Sequence, residues 1–421
     1  MSGANSCEGG CTADGGPSPI GYAEALRCFE RRAVPVQGTE RVALQQAQGR
    51  ILAQDIAAPR DVPAFDNAAV DGVAFAWSAR LEGGGTLELL SGRSAAGHAF
   101  SDEVKPGHAV RILTGAPLPA GTDTVAAVEA CSFSGGQVSI PEGLKAGANR
   151  RIHGEDVSTG RHLLARGARL GPWEIAVAAA LGLGEITVHR RPRVALFSTG
   201  DELLPPGAAW RKAGVYDTNR PLLHALLAQL PVDVHDHGIV GDDRGRIGAT
   251  LDKSDGCDLI LGSGGASRGD EDHVASLLAE RGSLDFWRVA MRPGRPLALG
   301  SVGDAACVAL PGNPVAAASC FLRFVRPLLL ALAGAAWHVP PGRSLPAAFA
   351  MEKKQGRTEL LRCRVVRDQG TEMLQPVTRQ GSGMLSTLLE ADGIAELDAD
   401  RAQVAQGDAL TFLSWQELGL S

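Results

Sequence analysis

Tyr22, Ala25, Leu26 and Phe29 recur at helical spacing, and the stretch from Gly21 to about Ala58 reads as helix followed by extended chain. Between Asp61 and about Glu142 the pattern changes to short β runs set between Gly and Pro, such as Thr86–Leu90, Ala109–Leu113 and Thr124–Val128. Helical spacing returns over Trp173–Leu181, with Gly171-Pro172 at its start and Gly182 at its end. The simplest arrangement is a helical N-terminal domain, residues 20–60 plus 150–190, interrupted by a β-rich insertion over 61–149. Residues 1–19, rich in Gly, Ser and acids, read as a disordered tail.

From Arg193 the rhythm becomes strand–loop–helix. Val194–Phe197, Leu259–Leu261 and Cys307–Leu310 are short apolar runs, with a further strand over Val232–Val240, and each leads into a Gly-containing loop. Pro221–Leu230, Val274–Glu280 and Pro314–Leu332 are helical candidates, the last with Asn313 and Pro314 suited to an N-cap and first turn. Alternating strands and helices predict a parallel α/β domain over 191–336, its site at the strand C-terminal ends. After Pro340-Pro341 the period is β again, which gives a small C-terminal β domain over 337–421. The fold class is α/β multidomain.

At 421 residues the chain is too long for one ordinary core and suits about three domains. A net charge of -6 gives no footprint for nucleic acid or an anionic membrane. The runs Ile175–Leu183 and Leu328–Trp337 fall short of the roughly 20 residues of a membrane span, and no targeting segment is visible. Of the eight cysteines only Cys7 and Cys11 are close, a weak zinc signal; the others read as reduced, mostly buried thiols of a cytoplasmic protein.

The α/β domain concentrates the candidate chemistry. Ser198-Thr199-Gly200-Asp201-Glu202 follows the first strand and Gly241-Asp242-Asp243 the second. Ser263-Gly264-Gly265 follows the third and Leu310-Pro311-Gly312-Asn313-Pro314 the fourth. One such loop is ordinarily just a turn; four at equivalent points would converge on one edge. Asp258–Asp272 is the richest segment: glycines let backbone N–H groups converge on an anion, and the acids ending in Asp272 would hold a bridging divalent metal. Met291-Arg292-Pro293-Gly294-Arg295-Pro296, with Arg288 nearby, holds guanidinium groups in a proline-fixed turn suited to phosphate or another tetrahedral oxyanion. Gly265–Gly269 matches the Gly-x-Ser-x-Gly of serine hydrolases, with His273 and His338 as possible bases, but the adjacent acids favour metal chemistry. Walker A, Gly-x-Gly-x-x-Gly, His-Glu-x-x-His and Cys-x-x-Cys motifs are absent.

Nine blocks taken in order resemble the MoeA-type molybdopterin molybdenumtransferases, whose eukaryotic relatives include the gephyrin E domain. The carriers are DVPAFDNAAVDG (61–72), RILTGAPLP (111–119), GEDVSTG (154–160), VALFSTGDEL (194–203) and VYDTNRPLL (215–223). They continue with GIVGDD (238–243), SGGASRGDED (263–272), MRPGRP (291–296) and LPGNPVAA (310–317). The match spans about Gly21 to Gly334 and is less distinctive beyond.

The resemblance implies a cytoplasmic, elongated homodimer with a shared active site, in which the α/β domain binds molybdopterin and the C-terminal domain is barrel-like. Its reaction takes molybdopterin-AMP and molybdate, uses Mg²⁺, releases AMP and leaves molybdenum on the dithiolene. By matching position, Asp71, Thr114 and Asp156 are the inserted-segment catalytic residues, and Glu202, Asp242 and Asp272 those of the α/β domain; Asp201, Glu202, Asp242 and Asp272 are the metal candidates. Ser198, Thr199, Gly200, Asp217, Asn219, Ser263, Gly264, Gly265, Ser267, Gly312, Asn313 and Pro314 would bind the pterin substrate. Arg292, Pro293, Arg295 and Pro296 would position molybdate. A molybdopterin adenylyltransferase and apo-molybdoenzymes or their chaperones are implied partners. Departures are Arg at 288, 292 and 295, where relatives often carry Lys, together with Ala68, Val70, Val73 and Arg268; a preference for tungstate is compatible with the arginines. The rival readings are a molybdopterin adenylyltransferase and a non-catalytic scaffold of the same fold.

Overall fold

The computed structural model describes residues 18–82, 85–265 and 273–420. The tail expected over 1–19 lies outside these but for residues 18 and 19.

Six strands form the central sheet: Arg193–Thr199 (β1), Asp233–Val240 (β2), Leu259–Ser263 (β3), Gly282–Phe286 (β4), Ala298–Val302 (β5) and Ala305–Leu310 (β6). Their order is β2-β1-β3-β6-β5-β4; the first four run parallel and β5 and β4 add antiparallel pairings. Strand period two divides the core. Val194, Leu196, Leu259, Leu261, Val308 and Leu310 join one cluster, while Ala195, Phe197, Ile260, Cys307 and Ala309 join another on the opposite face. Both faces are therefore covered, which is why these strands read as continuous apolar runs.

Four helices complete this layer: Asn219–Leu227 (α1), Arg244–Lys253 (α2), His273–Arg281 (α3) and a long composite helix over residues 314–332 (α4). Glycines at 245 and 248 hide α2 in the sequence, since glycine lowers helix propensity. Asp243 starts it by accepting the Arg246 N–H at 2.8 Å, and Arg281 at the end of α3 donates to the Gly248 carbonyl at 3.1 Å. In length and composition α4 would suit a membrane span, yet 89% of it is buried inside the protein, as the central core helix. A π turn over Phe321–Val325 interrupts it.

The N-terminal segment divides between neighbours. Helix Tyr22–Arg31 packs through Ala25, Cys28 and Phe29 onto the α4 side of the central sheet. Residues 42–58 and 157–188 form a separate cluster of modest helix content: helix Pro172–Ala180 and antiparallel ribbons such as Thr39–Ala43 with Glu185–His189. Between them lies a six-stranded sheet in the order Thr124–Ala127, Gly72–Phe75, His108–Ile112, Thr86–Ser94, Gln137–Ser139 and Ser132–Ser134. In the C-terminal sheet, Thr358–Asp368, Gly393–Leu397, Ala409–Ser414 and Arg343–Pro346 lie side by side, with Thr371–Pro376 on the other edge of Thr358–Asp368. Met291–Arg292, arriving from the α/β domain, also joins this sheet, parallel to Thr358–Glu359. Cys131, Cys257, Cys307, Cys320 and Cys363 are free thiols, whereas Cys28, expected to be reduced, is disulfide-bonded.

Arg323, in the π turn and 4% exposed, ties three of these parts together. Its Nε donates to the Tyr22 hydroxyl and lies 2.8 Å from Glu396 Oε1, and the Tyr22 hydroxyl donates to the same carboxylate at 2.8 Å. Removing one member of such a buried pair leaves an uncompensated charge. Arg323→Met is thus expected to lower stability by about 3–5 kcal/mol in chemical denaturation, and Tyr22→Phe by about 1 kcal/mol.

Candidate active site

At the C-terminal edge of the parallel strands the loops after β1, β2, β3 and β6 converge around a cleft of about 870 Å³. Ser198, Thr199, Gly200, Glu202, Asp217, Asn219, Asp242, Ser263, Gly264, Gly265, Pro296, Gly312, Asn313 and Pro314 all line it. Gly264 and Gly265 have φ of +93° and +62°. A Cβ on Gly264 would lie 2.5 Å from the Thr199 carbonyl oxygen, so backbone here comes as close as glycine allows.

Among the described residues, two buried polar atoms on this wall have no hydrogen-bond partner: Thr199 Oγ1 and Asn219 Oδ1. The Asn219 amide is oriented by donating to Ser263 Oγ and the Gly312 carbonyl, both at 2.7 Å. Asp217, 1% exposed, accepts from Ser198 Oγ at 3.2 Å and the Arg220 N–H at 3.1 Å, with the Arg220 guanidinium 3.3 Å away. A wall of fixed donors with orphaned acceptor and hydroxyl groups suits a polar planar ligand. Asn313 holds the first position before α4, yet its side chain makes no capping bond and faces the cleft instead.

The acids are paired through their backbones. Asp201 N–H donates to Asp242 Oδ2 and Asp242 N–H to Asp201 Oδ1, each at 3.1 Å. Glu202 and Asp242 line the cleft and Asp201 braces them. Among the described residues no three His, Cys, Asp or Glu side chains are grouped to hold a metal. Ser267 and Asp272 lie outside the described residues, as does most of the Gly-x-Ser-x-Gly match.

A second cleft, about 630 Å³, adjoins the first and shares Pro296, Pro311 and Asn313 with it. Arg292, Pro293 and Arg295 line one side; Lys354, Arg357 and Ser382 of the C-terminal domain line the other. Gly294 lets the arginine loop press onto α4, since at φ +108° a Cβ would meet Cys320 Sγ at 2.6 Å. Buried Arg362 holds the opposite wall by donating to the carbonyls of Arg379 and Gly381, both at 3.2 Å. Arg288 lines neither cleft and stacks on Trp287 at 4.7 Å. Lys354, Arg357 and Ser382 carry no motif in the sequence; the pairing of Met291-Arg292 with Thr358-Glu359 brings the first two here, and the Val315 N–H donating to the Ser382 carbonyl at 3.1 Å brings the third.

Asp71, Thr114 and Asp156 line neither cleft. Asp71 Oδ1 accepts both the N–H and hydroxyl of Thr114 at 2.7 Å, and these bonds hold its carboxyl below the usual carboxylate range. Asp61 repeats the arrangement with Thr159 and also faces His153 at 3.1 Å. Asp156 is exposed, and its carbonyl accepts from Arg161 at 2.7 Å.

Three family descriptions match: "MoeA N-terminal region (domain I and II)" over residues 20–182, "Probable molybdopterin binding domain" over 195–331, and "MoeA C-terminal region (domain IV)" over 344–415. A molybdopterin molybdenumtransferase of Haemophilus influenzae is 36% identical over 396 residues, covering 93% of this chain and 97% of the relative. Molybdopterin molybdenumtransferase 2 of Mycobacterium tuberculosis is 34% identical over 381 residues, covering 88% and 93%. The crystal structure of the molybdopterin biosynthesis moeA protein of Pyrococcus horikoshii OT3 superposes with a TM-score of 0.78 at 27% identity, covering 94% of this chain and 99% of that one.

Thr199→Val removes a hydroxyl without a partner among the described residues, so the free protein should keep its denaturation midpoint; a loss above about 1 kcal/mol would reveal a partner. Asp71 has a depressed pKa, so its stabilising bonds are present above the ordinary value of about 3.9 and lost as pH falls through the lower folded value. Replacing Thr114 by Val should move the Asp71 carboxyl titration, followed by ¹³C NMR, upward.

Proposed function

We propose, from the premise that this chain belongs to the MoeA family of molybdopterin molybdenumtransferases, that its two joined clefts hold the two substrates of molybdenum insertion side by side. The protein is a transferase of molybdenum cofactor biosynthesis that inserts molybdenum into molybdopterin. The observation carrying the division of labour is the shared wall of Pro296, Pro311 and Asn313 between a glycine-cradled cleft and a cation-lined one.

In this reading the first cleft takes adenylylated molybdopterin. Backbone at Gly264 and Gly265 approaches the phosphate, Thr199 Oγ1 donates to it, and Asn219 Oδ1 accepts from the pterin. The dithiolene end then reaches the shared wall. Arg292, Arg295, Lys354 and Arg357 give the second cleft the charge to take molybdate, a tetrahedral dianion, and the arginine forks give it orientation. Cysteine lines neither cleft among the described residues, in keeping with dithiolene sulfurs rather than a protein thiolate as nucleophiles.

Glu202 and Asp242 are hard oxygen donors at the first cleft, and with Asp272 they would hold Mg²⁺. Bound there, the ion would neutralise phosphate charge during loss of AMP. The reciprocal Asp201–Asp242 bonds would hold the loops after β1 and β2 together beside that position.

The active unit is a homodimer with a shared site. Asp71, Thr114 and Asp156 reach neither cleft of their own chain, so their participation requires a second copy. Helix Pro172–Ala180, nearly all apolar, leaves Trp173 80% exposed, a surface suited to such self-association.

Anaerobic incubation with molybdopterin-AMP, Mg²⁺ and molybdate, with a tungstate arm, should give oxyanion-dependent AMP release and active cofactor. Formation of the adenylate from ATP would instead favour an adenylyltransferase, and tight binding without turnover a scaffold. Asp242→Asn should lower turnover by on the order of 10- to 100-fold without unfolding. Asp71→Asn retains an acceptor for Thr114 while removing charge. Mixing these two impaired variants should raise activity above that of either alone through exchanged subunits; no gain despite verified exchange would overturn the shared site.

A further inference from the structure

Behind the second cleft lies one buried carboxylate. Glu359 side-chain exposure is 5%, and its Oε1 receives both Arg357 Nε at 2.9 Å and Arg357 Nη2 at 2.8 Å. Its Oε2 faces Arg292 Nη1 at 3.9 Å. This spacing follows from register: Met291 pairs with Thr358 and Arg292 with Glu359 in a parallel two-residue ribbon, so the arginine loop and the C-terminal domain meet at that side chain. Arg292 and Arg357 belong to opposite walls of the cleft, and each uses its own oxygen of the same carboxylate. The nearby buried lysine, Lys353, donates its Nζ hydrogen bonds to the carbonyls of Lys354, Ala399 and Arg401, and reaches Glu359 through charge alone.

We infer that Glu359 is a positioning and specificity-determining residue: by holding Arg292 and Arg357 at a fixed separation, it makes the cleft measure the size of the tetrahedral dianion it accepts. The inference rests on the second cleft being the oxyanion site. A carboxylate in this place has two separable effects. Its charge opposes every dianion alike, through Coulomb interaction, whatever the ion's size. Its hydrogen bonds fix the Arg357 fork, while its other oxygen attracts the Arg292 guanidinium across 3.9 Å, and only that placement distinguishes ions of equal charge, such as the smaller sulfate and the larger molybdate. Selectivity therefore reports positioning, while a common shift in affinity reports charge.

The test uses the full-length protein and measures molybdate dissociation and KM, with sulfate and tungstate as competitors, in wild type, Glu359→Gln and Glu359→Asp. Loss of positioning should shrink the sulfate-to-molybdate dissociation ratio on the order of tenfold in Glu359→Gln. Glu359→Asp, which keeps charge but shortens the reach, should give an intermediate ratio. All ions shifting together with the ratio unchanged would overturn the inference and leave Glu359 as a charge offset. If Glu359→Gln does not fold, the Asp variant decides alone, an unchanged ratio counting against positioning. Wild-type binding that ignores Arg295→Ala would place the oxyanion elsewhere and remove the parent reading, an outcome distinct from wild-type binding that needs Arg295 but ignores Glu359.

Discussion

Buried Arg323 carries its charge in the middle of the core helix, where the Glu396 carboxylate, the Tyr22 hydroxyl and the Pro340 carbonyl answer it. Taking these groups from water costs several kcal/mol per ion, so the pair is tolerable only with Tyr22, Arg323 and Glu396 all in place. Each comes from a different part of the chain: the first helix, the core helix and the C-terminal sheet. Satisfying Arg323 therefore fixes how the C-terminal sheet meets the α/β layer. The cation-lined cleft lies along that junction, so its shape inherits the same constraint.

Electrostatics are distributed unevenly for a reason. A chain of net charge -6 has no general attraction for anions, yet Arg292, Arg295, Lys354 and Arg357 surround one small cleft. Low-dielectric walls concentrate such a field locally. Glu202 and Asp242 stand in the neighbouring cleft with the opposite sign. A ligand lying across Pro296 and Asn313 would thus pass from a carboxylate environment to a guanidinium one within a single molecule's length.

Strands β1, β3 and β6 were legible because they are covered on both faces and so read as unbroken apolar runs ending in Gly-containing loops, whereas the antiparallel strands β4 and β5, GSLDF and ALGSV, carry no such run. Helix α2 was not legible either, because Gly245 and Gly248, the second of them lying against the Arg281 guanidinium, weaken the helical signal. The first cleft followed from topology alone, since parallel strands deliver their loops to one edge. Lys354, Arg357 and Ser382 escaped notice because contacts between distant segments place them, a two-residue ribbon for the first two and a backbone bond from Val315 for the third, and nothing local announces either. Asp71 and Thr114 could be matched as motif residues, but their mutual bond spans 43 positions and depends on neighbouring strands of the inserted sheet.

The π turn at Phe321–Val325 bears on how this protein can change over time. Such a turn holds one residue more than an α-helical turn, and each residue advances a helix by about 100°. The two halves of the core helix are therefore out of phase with one continuous spiral, each facing its own neighbours. Deleting one residue would restore a regular helix while rotating Arg326–Leu332 against everything it touches. Loops elsewhere can absorb length variation, but this helix is held to a fixed residue count, and its lineage should drift by substitution while excluding single-residue gaps there.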